Sequence, residues 1–462
     1  MLAAQFMNLL DVFIVNVAAP TVQSDLGASG GSLQLVVAGY TITYAVLLVT
    51  GARLGGRLGP GRLFQVGLAA FTLTSLACGL AATTGQLITF RFLQGVGAAL
   101  MLPQVLSLIQ RTFTGAERGR ALAMFGAVIA TGAAAGQVAG GVLVSADLFG
   151  WGWRPIFLVN VPIGLALLVL GARVVPLDRP GPGERARELD LPGLALLSAA
   201  VLAFTVPLVL GQEEDWPTWC WLSLAGSVLL LAGFAWFESR LARRGGAPLL
   251  SPRVLRSPGM GLAVTRICLV MAVNSGLMFA FSLHLQGPEA GEGLGYGALR
   301  AGLSFLPTAL MFGLVSLTWR RLPAAWHPYL VPAGLLTAAA GTLGVGLLLR
   351  DGDPLGPAVL TLFGVNGAGM ALAYAPLLVR ALSSVRPEDA ADASGLTGTM
   401  TQLGMLVGTA TFGTLFLERT ESALSSTDGL WVTTLALSAT CVAVAALGLL
   451  GARGARGGTP RP

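Results

Sequence analysis

One carboxylate lies in the middle of a long apolar stretch of this sequence. Asp11 interrupts the apolar run at residues 2–20, and no other acid occupies such a position. A charged side chain at the depth of a bilayer costs roughly 2.5 kcal/mol or more, so it needs a function or a buried partner. Two arginines also lie inside apolar runs, Arg91 and Arg266. We expect Arg91 to be the partner of Asp11, and Arg266 to pair locally or to extend toward the membrane surface.

A buried carboxylate beside an arginine is suited to binding and releasing protons. The positive charge favours the carboxylate, burial favours the neutral acid, and a conformational change can alternate the two conditions. The sequence therefore predicts that Asp11 and Arg91 take part in proton coupling. The alternative for the same two residues is a static buried ion pair that fixes helix packing.

The elements that must hold these residues are membrane-spanning helices. Of the 462 residues, 54% are hydrophobic and only 11% are charged, whereas soluble proteins carry about 25% charged residues. Since backbone polar groups must be paired within lipid, long runs without alternation favour helices over barrel strands. The predicted fold class is an all-α membrane protein with 14 transmembrane helices. The runs lie near residues 2–20, 33–51, 63–82, 86–107, 121–144, 155–172, 191–211, 219–237, 259–285, 300–318, 328–349, 356–379, 393–417 and 430–450.

The arginines test this number of spans independently. All 28 basic residues are arginine, and 22 of them fall in alternate connectors or in the C-terminal tail, against four in the opposite connectors. Positively charged residues accumulate in cytoplasmic loops. The bias predicts a multi-pass protein of the cytoplasmic membrane with both termini in the cytoplasm.

A repeat of glycine-rich helices suggests two bundles. Gly132, Gly136 and Gly140 form a stripe in the fifth run, and Gly404 and Gly408 lie in the thirteenth. If runs seven and eight are inserted, both glycine helices take the fifth place in a six-helix bundle, as in transporters built by duplication. The same spacing also serves ordinary helix packing. The predicted domains are an N-terminal six-helix bundle at 1–173, an inserted helix pair at 190–238, a C-terminal six-helix bundle at 258–452 and a cytoplasmic tail at 453–462.

Other classes of function find no support in the sequence. The pI near 9.7 comes without a basic patch with interleaved aromatic residues, so we expect no nucleic-acid partner. The four cysteines are far apart and only two histidines occur, so neither a metal site nor a catalytic site is expected. No phosphate-binding loop of the Walker type is present.

Five stretches together resemble signatures of the fourteen-span drug:proton antiporters of the major facilitator superfamily. They are residues 10–20 (LDVFIVNVAAP), 91–99 (RFLQGVGAA), 132–141 (GAAAGQVAGG), 153–164 (WRPIFLVNVPIG) and 393–404 (ASGLTGTMTQLG). The resemblance implies proton coupling through Asp11 and Arg91. It further implies an antiporter packing helix at Gly132, Gly136, Gly140 and Gly141, and a gating loop at Gly51, Arg57, Gly59 and Arg62.

The sequence departs from the family pattern in two places. Gly56 stands where the gating loop usually has an acid, and Pro60 and Gly61 replace a basic pair. That acid is thought to help to close the inner gate, so its absence bears on gating. In the fifth run Gln137 replaces a proline, which removes a proline-induced bend.

Polar and aromatic side chains within the runs are candidates for lining a substrate cavity. The alternative for each is an ordinary hydrogen bond between helices. The candidates are Asn16, Tyr40, Tyr44, Gln94, Asn274 and Gln402.

The resemblance and the buried acid predict a proton-coupled antiporter that exports small amphipathic organic compounds, as in drug or antibiotic efflux. The expected partners are such a substrate, protons and the lipid bilayer; we expect a monomer, no enzyme activity and no cofactor, with the proton gradient as the energy source. One alternative is an exporter or importer of a specific metabolite with the same fold. Another is a transport-inactive membrane sensor or scaffold, which the missing acid at Gly56 allows.

Overall fold

Helices make up the regular structure of the chain. The computed structural model describes residues 1–28, 30–147, 150–176, 190–211, 216–244, 246, 254, 257, 259–287, 292–350, 355–383, 385–386, 389–423 and 425–456, and no strand occurs in them. The α-helices are α1 (Leu2–Leu26), α2 (Gly30–Leu58), α3 (Pro60–Gly79), α4 (Thr84–Thr112), α5 (Gly115–Ala146), α6 (Pro155–Leu158), α7 (Asn160–Val174), α8 (Leu191–Leu210), α9 (Thr218–Arg243), α10 (Met260–Gln286), α11 (Ala298–Ser304), α12 (Leu306–Thr318), α13 (Leu330–Leu349), α14 (Pro357–Ser383), α15 (Ala390–Ala423) and α16 (Ser426–Arg456). Two 3₁₀ helices, Trp319–Arg321 and Ala324–Tyr329, lie between α12 and α13.

Each apolar run predicted from the sequence is helical in the structure, and the runs at 155–172 and 300–318 are each divided between two helices, α6 and α7 in the first and α11 and α12 in the second. Among the described residues, 11 helical segments are long and apolar enough to cross a membrane. Two shorter apolar stretches, Leu2–Val15 and Pro192–Leu208, lie in α1 and α8. The all-α membrane class is confirmed, whereas the number of fourteen spans stays a prediction.

Helix ends follow local sequence signals. Gly59 separates α2 from α3 with a φ of 94°, which glycine reaches without a Cβ clash. Pro60 then opens α3, where its missing N–H group is not needed. Thr83 caps α4, because its side chain accepts a hydrogen bond from the backbone nitrogen of Gln86 at 3.3 Å.

The chain divides into two compact units. The first comprises Met1–Leu122, Gly132–Val264 and Ala381–Leu403. The second comprises Ala123–Thr131, Thr265–Arg380 and Gly404–Pro462. The four domain limits predicted from the sequence stay a prediction.

Close backbone contacts hold the first unit together. α4 packs against both α2 and α3, and α8 packs against α9 and α2. A Cβ atom on Gly51 of α2 would overlap the carbonyl oxygen of Ala99 in α4. One on Gly97 of α4 would lie 2.7 Å from the backbone nitrogen of Phe71 in α3. Small residues therefore let these helix backbones touch.

Aromatic rings fill the centre of the second unit. The ring of Phe281 lies 4.2 Å from that of Phe363 and 5.6 Å from that of Phe305, measured between centroids. His284 is also fully buried, with its Nδ1 atom 2.8 Å from the hydroxyl of Ser426. The core of this unit is thus apolar, with a histidine at its edge.

Candidate functional site

Asp11 lies on α1 with no exposed surface and with partners on both carboxylate oxygens. Its Oδ2 atom accepts a hydrogen bond from Nη1 of Arg91 at 2.7 Å. Its Oδ1 atom accepts one from Nε2 of Gln94 at 2.9 Å and one from Nδ2 of Asn160 at 2.7 Å. The acid is therefore held by one guanidinium and two amides, and Arg91 is its partner as the sequence predicts.

Arg91 is enclosed on all sides within the first unit. It is 1% exposed, its Nε atom donates to the backbone carbonyl of Val36 at 3.0 Å, and Nη1 also donates to Oε1 of Gln94 at 2.6 Å. The guanidinium carbon lies 4.8 Å from the ring centroid of Tyr40 and 5.7 Å from that of Phe157. Aromatic faces attract a cation at such distances, so the charge is stabilised where water is excluded.

Gln94 joins the acid to the rest of this network. Its oxygen accepts from Arg91, while its nitrogen donates to Asp11 and to the hydroxyl of Ser75 at 2.8 Å. Because both ends of the amide are engaged, its orientation is fixed. We call Asp11, Ser75, Arg91, Gln94 and Asn160 the Asp11 network.

The glycine stripe of α5 packs against the part of α1 that carries Asp11. A Cβ atom on Gly136 would lie 2.8 Å from the carbonyl oxygen of Leu10, and one on Gly132 would lie 2.9 Å from the Cβ atom of Leu9. Buried glycines continue along α5 at Gly140 and Gly141. The stripe is a close helix contact here, and its part in antiport stays a prediction.

An ionic contact at the far end of α1 joins it to the segment that precedes α6. Oδ2 of Asp25 accepts from the indole nitrogen of Trp153 at 2.9 Å and from Nη1 of Arg154 at 3.0 Å. The hydrogen bond from Trp153, followed by the contact with Arg154, lowers the pKa of Asp25. We call these three residues the Asp25 clamp. It fixes α1 relative to the segment that leads to Asn160.

The predicted gating loop is a tight turn rather than an extended loop. Gly51 and Arg57 lie within α2, Arg62 lies within α3, and Gly59 alone separates the two helices. The positive φ of Gly59 makes this short reversal possible. Gly51 is buried, whereas Arg57 and Arg62 are exposed.

A carboxylate from α15 approaches the same end of α2. Nε of Arg53 lies 3.4 Å from Oδ1 of Asp392, and the two side chains are 14% and 3% exposed. The hydroxyl of Ser394 donates to the backbone carbonyl of Pro103 in α4 at 2.8 Å. Asp392 lies in the first turn of α15, where a negative charge is favoured. An acid therefore meets this helix end although Gly56 carries none.

The predicted cavity residues lie in different surroundings. Gln94 and Tyr40 are fully buried, Gln94 within the Asp11 network and Tyr40 against Arg91, with the Tyr40 hydroxyl bonded to Asn8. Tyr44 is 8% exposed and stacks on Tyr40 at 6.0 Å. Gln402 and Asn274 are half-buried on α15 and α10, and the side chain of Asn16 lies outside the described residues.

Three residues of these contacts were not predicted from the sequence: Asn160, Ser75 and Asp392. Asn160 and Ser75 are neutral polar residues inside apolar runs, and such residues usually bond between helices. Asn160 belongs to the stretch 153–164, which was the available signal. Asp392 lies directly before the apolar run at 393–417, so nothing in the sequence indicated that its carboxylate is buried.

Among the described residues, no group of three potential ligands that could hold a metal ion occurs.

Comparison with known proteins decides the family. The model of the Major Facilitator Superfamily matches residues 1–409. The chain belongs to this superfamily. It is 38% identical over 438 residues to a probable actinorhodin transporter of Streptomyces coelicolor, covering 93% of this chain and 74% of the relative. It is also 38% identical over 419 residues to a cephamycin export protein of Amycolatopsis lactamdurans, covering 88% of this chain and 82% of that protein.

Solved structures show the same fold. The chain superposes with a TM-score of 0.63 on a major facilitator proton:xylose symporter bound to 6-bromo-6-deoxy-D-glucose, at 14% identity. The match covers 96% of this chain and 94% of the symporter chain. The family suggested by the five sequence stretches is thus confirmed, and this major facilitator protein is a multi-pass membrane protein of a transporter family.

Proposed function

We propose that this protein exports small amphipathic organic compounds, such as antibiotics, across the cytoplasmic membrane in exchange for protons. The substrate class is supported by the relatives named for actinorhodin transport and cephamycin export. The coupling rests on one observation, the Asp11 carboxylate with no exposed surface on a helix of a membrane protein. We assign the proton to this group.

A purely structural reason for Asp11 is weak on physical grounds. Replacing a buried ion pair with apolar residues of similar volume is often neutral or stabilising, because removing two charges from water is costly. An intramembrane acid that binds a proton in one conformation and releases it in another has a reason to persist. The static ion pair remains the alternative that the experiment below tests.

Arg91 has partners in both protonation states of Asp11. When Asp11 is ionised, Arg91 balances its charge at 2.7 Å. When Asp11 is neutral, the guanidinium still donates to the oxygens of Gln94 and Val36. In this proposal Arg91 adjusts how readily Asp11 binds a proton, without being left as an unpaired buried charge.

The remaining parts of the proposal concern topology and gating. Both termini face the cytoplasm, as the arginine distribution supports. The Arg53–Asp392 contact then lies at the cytoplasmic ends of α2 and α15, where it would stabilise an inner gate. The protein acts as a monomer and uses the proton gradient without a cofactor.

The test is efflux measured in inverted membrane vesicles with an imposed proton gradient and a fluorescent amphipathic dye. We expect uptake into the vesicles that a protonophore abolishes. Asp11→Asn should reduce this uptake to the background of vesicles without the protein, because an amide cannot bind the transported proton. The matched control is Glu117→Gln, an exposed acid in the first turn of α5 that lies outside the Asp11 network, which should retain uptake.

Three outcomes would contradict the proposal. Uptake that persists with a protonophore removes proton coupling, and full activity of Asp11→Asn moves the proton site elsewhere. A folded protein that moves no compound from a broad panel would favour the membrane sensor or scaffold.

A second candidate is the export of one dedicated natural product. It is favoured by the two relatives described above, each of which is named for a single compound. Growth of a deletion strain against a compound panel separates the two: sensitivity to several unrelated compounds indicates broad efflux, and sensitivity to one indicates a dedicated exporter.

A further inference from the structure

We propose that Asn160 is a positioning residue for the proton on Asp11, with an amide that donates to the carboxylate and accepts from the protonated acid after a half-turn. The inference rests on the proposed function of Asp11 as the proton site. It extends that function, because it names the group that adapts when the proton binds.

The first observation is an amide with one end engaged and the other free. Asn160 has no exposed surface, and its Nδ2 atom donates to Oδ1 of Asp11 at 2.7 Å. Its own Oδ1 atom is buried and has no hydrogen-bond partner in the described part of the chain. Buried polar atoms without partners are rare in folded proteins and need a specific explanation.

The second observation is that the other partners of Asp11 cannot adapt. Gln94 has its oxygen on Arg91 and its nitrogen on Asp11 and Ser75, so turning its amide would break these bonds. The guanidinium of Arg91 has only donors. Asn160 alone among the three can exchange its nitrogen for its oxygen without losing a second hydrogen bond.

Proton binding creates the need for this exchange. When Oδ1 of Asp11 takes a proton from a hydronium ion, leaving water, it becomes an O–H group that requires an acceptor, and one of the two N–H groups that donate to it must withdraw. A half-turn about the Cβ–Cγ bond of Asn160 withdraws Nδ2 and presents Oδ1 as the acceptor. Arg91 keeps its hydrogen bond to Oδ2 of Asp11, and release of the proton to water reverses the turn.

The backbone does not need to move for this step. Asn160 is the first residue of α7, directly after the interruption of the helix at Val159. The Asp25 clamp joins the segment before α6 to α1. The side chains of Asp11 and Asn160 are already within hydrogen-bond distance at 2.7 Å, so a rotation of the Asn160 amide is sufficient.

The decisive measurement is the side-chain amide signal of Asn160 in purified protein labelled with ¹⁵N-asparagine. The chain has only five asparagines, so the spectrum is simple. We expect the Asn160 signal to shift with pH and the shift to disappear in Asp11→Asn. Asn366 is the matched internal control: it is fully buried, it donates to Thr342 at 2.8 Å, and its oxygen also lacks a partner, but a hydroxyl replaces the acid. Its signal should not titrate with Asp11.

Transport by three variants supplies a second measurement. Asn160→Leu removes donor and acceptor at similar volume and should slow proton-driven efflux about tenfold or more, since hydrogen bonds to charged groups are the stronger ones. Asn160→Thr retains a hydroxyl that donates or accepts, and should recover part of this loss. Asn366→Leu controls for the removal of a buried amide and should have little effect.

The outcomes separate this inference from the proposed function. An Asn160 signal that ignores pH, in a protein whose efflux depends on Asp11, overturns the inference and leaves the proposed function. Equal efflux of Asn160→Leu and the unaltered protein at every pH also overturns it. Efflux that ignores a protonophore contradicts the proposed function, while the titration in purified protein still decides the role of Asn160.

Discussion

Two arginines inside apolar helices, Arg91 in the first unit and Arg266 in the second, have opposite surroundings. Arg91 is 1% exposed and pairs with Asp11 at 2.7 Å. Arg266 is 9% exposed, its Nε atom has no hydrogen-bond partner within the described residues, and the charge that acts on it is another cation, Arg380. Position in an apolar run therefore does not define the role of an arginine; its partners do.

The difference has a physical consequence for substitutions. Removing one member of a buried ion pair leaves an uncompensated charge, whereas removing an unpaired charge leaves none. Substitution of Arg91 should therefore lower the stability of the protein, whereas substitution of Arg266 should leave it nearly unchanged or raise it. The predictions below test this contrast and extend it to ionic contacts of decreasing burial.

The largest effect is expected for Arg91→Met. The Asp11 carboxylate would keep two amide donors but lose its cation, and breaking a buried pair in this way costs about 3–5 kcal/mol. Thermal unfolding in detergent should show a large fall in Tm, with loss of proton-driven efflux. An unchanged Tm would show that the buried pair does not stabilise the fold and would remove the contrast with Arg266.

A smaller effect is expected at the Arg53–Asp392 contact, which is less completely buried. Asp392→Asn should cost about 1–2 kcal/mol, between the values typical of surface and buried pairs. A double-mutant cycle with Arg53→Met measures the coupling between the two side chains. A coupling near zero would mean that the contact does not stabilise this end of α2.

Arg266→Met is the direct counterpart of the first prediction. Because Arg266 forms no ion pair with a carboxylate among the described residues, the free energy of unfolding should change by less than about 1 kcal/mol or should increase. The same thermal unfolding measurement applies. A loss as large as that of Arg91→Met would reveal an anionic partner for Arg266 and would remove the contrast.

The smallest effect is expected at Glu292, which follows α10 outside the membrane helices. Hydrogen bonds from Ser425, and then from Thr427, lower the pKa of Glu292 below its ordinary value of 4.5. A lowered pKa contributes stability that is present above 4.5 and lost as the pH falls through the folded-state value. Ser425→Ala should thus lower Tm slightly at neutral pH, and the difference should vanish in acid. A difference in Tm that persists in strong acid would show that it comes from lost packing of Ser425 and not from the pKa of Glu292.

The sequence predicted the parts of the site that are rare in membrane helices. Asp11 and Arg91 stood out because charges in apolar runs are costly, and their pairing followed from the small number of candidates. The helices followed from length and hydropathy. Asn160 could not be assigned, because neutral amides in helices have many possible partners. The burial of Asp392 and the surroundings of Arg266 depend on contacts between distant segments, which a single sequence does not contain.

The contact between Gly51 and Ala99 limits which parts of the molecule can deform. Main chain lies directly on main chain there, so no side chain is available to change its rotamer and absorb a displacement. α2 and α4 therefore move as one rigid body. Arg91 moves with this rigid body. Asp11 can therefore alternate between two environments only if helices slide past α2 and α4, and not if these two helices bend.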